Sequence, residues 1–211
     1  MNTGLLLLAA VAWGAIIDRI AVSVGNQVIT LRDVEREIRV AAFLNGVKPD
    51  LSTANKRATA ERLVEQKLIR QEMETSRFPV PAAADVEPAL ERFKKDTFPS
   101  ETDYQHALAE YGITGQDVKD LLVWQRTLLE FISLRFRPGV QVSDQEIQDY
   151  FDRVVAPAAR AAHPAQPVAL EDFRAQIEQA LIGQQADRDM DNWLSEARKR
   201  TQIVFHQEAL E

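Results

Sequence analysis

Residues 114–136, TGQDVKDLLVWQRTLLEFISLRF, constrain the fold more than any other stretch. At 100° per residue, Val118, Leu121, Leu122, Leu128, Leu129, Ile132 and Phe136 fall in one sector about 120° wide, the pattern of a helix that faces a core. Thr114 with Asp117 supplies a capping-box start and Pro138-Gly139 a stop, so local chemistry bounds a helix of roughly 23 residues, or ~34 Å. Trp124 and Phe131, seven apart, sit on a shoulder outside that stripe. Two readings of the shoulder stay open. It packs on a second neighbouring helix, since aromatic side chains bury large areas, or it lines an apolar groove together with Phe43 and Leu44 at the end of an earlier helix.

A helix this apolar needs partners, and the 211-residue chain supplies them. It is 45% hydrophobic and 27% charged, which suits one globular domain or a domain with an appendage. The net charge of −7, with no Lys/Arg-rich block, argues against a nucleic-acid partner, whose phosphates need clustered cations. The absence of cysteine removes disulfides, thiolate metal sites and a Cys nucleophile, and leaves the compartment open.

Residues 4–17 are uncharged and Leu-rich, then Asp18-Arg19 begins ordinary polar sequence. The run is shorter than the ~20 residues of a membrane span, so stable membrane insertion is not expected. With small residues at Ala12, Gly14 and Ala15, residues 1–15 read as a secretory signal peptide. No Lys or Arg precedes the run, and an apolar segment that stays attached is the alternative.

Residues 20–24 alternate, Gly25-Asn26 is a two-residue turn, and residues 27–29 resume extended character, which predicts a hairpin. Thr30 with Asp33 caps the next helix, which Asn45-Gly46 ends. Further helices are expected over residues 50–77, 83–97, 100–111 and 144–155, the last opened by a Ser143/Glu146 capping box. Residues 156–167, APAARAAHPAQP, read as a Pro-rich linker. Residues 170–200 are helical again, but Phe173, Ile177, Ala180 and Leu181 point opposite to Met190, Trp193, Leu194 and Ala197. A bend at Gly183, or one helix serving two neighbours, would reconcile them. Arg198, Lys199 and Arg200 suit a helix C-terminus. Residues 203–205 form a strand predicted to join the hairpin, because two strands alone are marginal. The expected fold class is mainly α, a multi-helix core with a small antiparallel sheet made by the N-terminal hairpin and the C-terminal strand.

Four stretches, in this order, carry a resemblance: residues 24–34 (VGNQVITLRDV), residues 63–72 (LVEQKLIRQE), residues 142–147 (VSDQEI) leading to Tyr150-Phe151, and Trp193-Leu194 followed by residues 203–205 (IVF). Together they resemble the N-terminal domain of SurA-type periplasmic chaperones. The resemblance implies a helical chaperone core over residues 16–155 that residues 168–211 complete. Family members usually carry a parvulin prolyl isomerase domain where residues 156–167 stand here. A dozen residues cannot fold into a domain of ~50 or more, so no parvulin catalytic residue carries over.

Other chemistry is thinly seeded. His106 and Glu110 share a helix face without a third metal ligand, while His163 and His206 lie in other settings. The stretch 187–191 (DRDMD) mimics a calcium loop, but Asn192 stands where Gly is needed and Arg198 where the bidentate Glu belongs. Glu61, Glu65, Glu72 and Glu74 read as a solvated face. No nucleotide-binding Gly-rich loop or nucleophile elbow occurs, and no cofactor is expected. The resulting expectation is an ATP-independent periplasmic holdase. Phe43, Leu44, Trp124 and Phe131 would bind unfolded secreted or outer-membrane polypeptides, and the protein would be a monomer or homodimer. A dimerising adaptor is the alternative, and a prolyl isomerase a more distant one.

Overall fold

Two adjacent residues of the first strand, Ala21 and Val22, are both buried, which strict alternation forbids. The register shift between Ile20 and Val22 explains it: a bulge in β1 (Ile20–Val24) turns two neighbours toward the core. The computed structural model describes residues 18–79, 82–162 and 167–211. The expected signal peptide and His163 lie outside the described residues.

β2 (Gln27–Thr30) returns antiparallel to β1 across Gly25, whose φ of 57° a glycine adopts without a steric penalty. β3 (Ile203–Phe205) pairs antiparallel with the other edge of β1, giving the order β2-β1-β3. The fold is therefore mainly α with a small antiparallel sheet, and the hairpin and the C-terminal strand make that sheet together.

The helices are α1 (Leu31–Leu44), α2 (Thr53–Ser76), α3 (Glu87–Thr97), α4 (Glu101–Tyr111), α5 (Gly115–Arg135), α6 (Asp144–Tyr150), α7 (Ala156–Ala162), α8 (Arg174–Arg200) and a closing turn, α9 (Gln207–Leu210). Most starts obey local chemistry. Thr30, Ser52, Ser100, Thr114 and Ser143 each accept a hydrogen bond from the backbone N–H three residues on.

Three apolar clusters organise these elements. In the first, Val22, Val24 and Ile29 of the sheet meet Val34 and Ile38 of α1, Val64, Leu68 and Met73 of α2, Trp124 and Phe131 of α5, and Leu194 of α8. Leu210 of α9 is fully buried in the same cluster, so both ends of the described chain share one core. In the second, Phe43 sits among Phe93, Phe98, Tyr104 and Tyr111, with ring centroids 5.4–6.0 Å away. The third joins Ile147, Phe151 and Ala156 to Ile177. Each large aliphatic side chain so buried contributes about 1.5–3 kcal/mol before the entropy of ordering is deducted.

Three expectations need correction. First, α5 buries the expected stripe only in part: Val118 is buried and Leu121, Leu122, Leu128 and Phe136 pack half-buried against the clusters, but Leu129 is 69% exposed, and Trp124, Thr127 and Phe131 are the more deeply buried positions. Its first half packs on the second cluster and its second half on the first, so the contact face turns along the helix. The two aromatics offer the larger area to bury. Second, the expected linker is helical through Ala162. Ala156 donates its N–H to the Phe151 carbonyl, a π-type turn over Phe151–Val155. That widening lies just before Pro157, which has no N–H to donate and would clash in a regular helix interior. Third, Glu61, Glu65 and Glu72 are not merely solvated: Arg198 of α8 pairs with Glu61 and, at 3.6 Å, with Glu65, and Arg135 of α5 pairs with Glu72 at 2.9 Å. α8 itself runs unbroken through Gly183 and serves two clusters, the first from Leu194 and the third from Ile177.

Candidate functional site

The groove expected from Phe43, Leu44, Trp124 and Phe131 is not formed. Phe43 (4% exposed), Trp124 (5%) and Phe131 (1%) are core residues, and they belong to two different clusters. Leu44 is half-buried beside Phe43. Of the two readings open for the aromatic shoulder, packing on neighbouring helices is the one realised: Phe131 touches Phe78, Phe136 and Trp193 with centroids 5.5–6.0 Å apart.

A different apolar surface stays open. Tyr150, Val154 and Ala158, spaced four apart, share a face of the helical run that passes through the π turn, with Val155 and Ala159 beside them. Across from them stand Phe173, Gln176, Ile177 and Ala180, spaced for one face at the start of α8. Between the two helices lies a cleft of about 380 Å³, within the ~300–1,000 Å³ range of ligand sites. Its floor includes fully buried Ile177, and Val154, 48% exposed, stands on its rim. The polar side chains that reach it are the Tyr150 phenol and the Gln176 amide. Arg174 of α8 donates to Asp144 at 2.8 Å, tying the start of α6 to α8. The sequence signal was the Tyr150, Val154, Ala158 spacing, hidden because Pro157 reads as a helix stop.

A second cleft, of about 410 Å³, lies between α1, α2 and α5 and is lined by charge. Asp33, Glu37, Asp117 and Asp120 line the α1 and α5 walls with Arg36, while Lys67 and Arg70 line the α2 wall. Arg36 pairs with Asp33 at 2.7 Å and Asp117 at 3.7 Å, and those two carboxylates also cap their helices at Thr30 and Thr114. The Arg70 guanidinium lies 4.2 Å from the centroid of the Trp124 ring. Burial pushes the Glu37 carboxyl above its usual range, against a hydrogen bond from Gln66 and the nearby arginines, and likewise pushes Arg70 down.

No protein-family model and no curated protein matches this chain. What the clefts do is therefore argued from their chemistry.

His206 Nε2 lies 3.2 Å from Ser23 Oγ, joining β1 to the residue after β3. Among the described residues no group of three His, Asp or Glu side chains is arranged to hold a metal. The calcium-like stretch 187–191 lies inside α8. Among the described residues, no helix is long and apolar enough to cross a membrane.

Proposed function

We propose that the protein is an ATP-independent periplasmic holdase that shields apolar segments of unfolded secreted or outer-membrane polypeptides. The observation that carries this is the cleft between residues 150–159 and the start of α8, apolar almost throughout and open along the Val154 rim. Binding many sequences needs apolar area rather than positioned polar groups, and each apolar side chain taken from water contributes up to about 1.5–3 kcal/mol. Such a grip is weak enough to release a client without nucleotide hydrolysis. The resemblance of residues 24–34 and 203–205 to the SurA-type core supports the same reading, since it implies two chain segments that meet in one sheet.

Light scattering of an unfolded outer-membrane β-barrel precursor tests this. The chain at equimolar amounts is expected to suppress aggregation, and Val154→Asp, which puts a charge on the rim, to suppress it less while leaving the thermal midpoint unchanged. Aggregation that proceeds as if the chain were absent ends the holdase reading. A dimerising adaptor is the second reading, favoured by exposed Leu129 and Leu134 on α5. Light scattering after size exclusion would then give a dimer that Leu129→Lys returns to monomer.

A further inference from the structure

The charged cleft holds opposite charges that do not reach one another. Lys67 and Arg70, one turn apart on α2, have no carboxylate within 4.0 Å among the described residues, and Glu37 across the cleft has no cation that close. Asp33 and Asp117 are committed to their caps and to Arg36. Among the described residues Glu37 accepts only a long 3.5 Å hydrogen bond from Gln66, and Asp120 accepts one of 2.6 Å from Gln116. Two carboxylates and two cations are thus left facing a half-enclosed space whose apolar lining includes Val40, Leu63 and Leu121. Glu37 and Lys67 are half-buried there while Arg70 and Asp120 are exposed, and the half-buried charges gain most from a ligand that pairs with them.

We propose that this cleft binds a small amphoteric molecule of amino-acid or dipeptide size. Its carboxylate meets Lys67 and Arg70, and its ammonium meets Glu37 and Asp120. Neither a bare anion nor a bare cation satisfies both walls, because the uncommitted charges balance. The Trp124 ring, 4.2 Å from the Arg70 guanidinium carbon, restrains the guanidinium at the cleft, where a carboxylate can pair with it. Apolar Leu63 and Val123 at the lining accept a short aliphatic side chain. The site is independent of the apolar cleft and of the holdase reading.

The test is a nuclear magnetic resonance titration of the full isotope-labelled chain with leucylglycine, its N-acetyl form and its C-amide form, followed at the Trp124 indole N–H. The free dipeptide is expected to shift that resonance saturably. Blocking either end is expected to weaken binding by about tenfold or more, since each block removes a charge-assisted contact. Arg70→Gln and Glu37→Gln should each weaken it similarly with unchanged far-ultraviolet circular dichroism. No saturable shift, or binding of the acetylated and amidated forms as tight as that of the free dipeptide, overturns the proposal. Weakening by amidation alone also overturns it, by showing a plain anion site.

Discussion

Arg77 carries the chain out of α2 in the left-handed region, at φ 53° and ψ 42°. Phe78 donates its N–H to the Met73 carbonyl and Arg77 to that of Glu74, the paired bonds of a Schellman end. A side chain there costs roughly 1–2 kcal/mol that glycine avoids, so Arg77→Gly is expected to raise stability in urea unfolding by about 1 kcal/mol. Glu37 makes a second residue-scale prediction. Its folded-state pKa is raised by burial, so the folded protein holds a proton where the unfolded chain has lost it, and stability falls as pH rises through that window. Glu37→Gln should therefore be more stable than the wild type at neutral pH, with the difference vanishing once the pH drops below the ordinary glutamate range. Glu146 shifts the other way: hydrogen bonds from Ser143 lower its pKa, so its contribution is present at neutral pH and lost as pH falls through the lowered folded value. Caps such as Thr30, Thr114 and Ser143 were legible in the sequence because their partners are three residues away. The burial of Trp124 was not, because it depends on α2 and Arg70, some fifty residues earlier.

The same division holds for whole elements. The ends of α5 followed from Thr114 and Pro138, but its buried face followed only in part, since the helix contacts different neighbours along its length, buries Trp124 and Phe131 most deeply and leaves Leu129 outside. The run from α6 into α7 was cut short on paper by Pro157, whose effect the π turn absorbs. α8 joins the first and third clusters, with Gly183 between them and open space where a Cβ would lie. Gly183→Ala is thus expected to raise thermal stability by about 0.5–1 kcal/mol, the ordinary gain in a helix interior. Gly112→Ala should do the opposite, losing about 1–2 kcal/mol, because φ is +65° and the new Cβ would stand 2.8 Å from Arg39 Nη1. Calorimetry on both variants checks the pair.

At the scale of the molecule, a hairpin near one end and a strand near the other close into a single sheet over one core. That much was legible because a two-stranded hairpin needs a third strand. The apolar cleft was not, since its walls are separated in sequence by a stretch rich in proline. Leu210, buried against the first cluster, ties the last turn to the body, and Leu210→Ala is expected to cost about 2–5 kcal/mol of global stability. The most direct test of the central claim is photocrosslinking to an unfolded outer-membrane β-barrel precursor, with a photoreactive side chain placed at Val154 or at exposed Glu110 on α4. Adducts from position 154 and little from position 110 are predicted. Equal yields from both, or none from 154, would contradict an apolar cleft that holds unfolded chains.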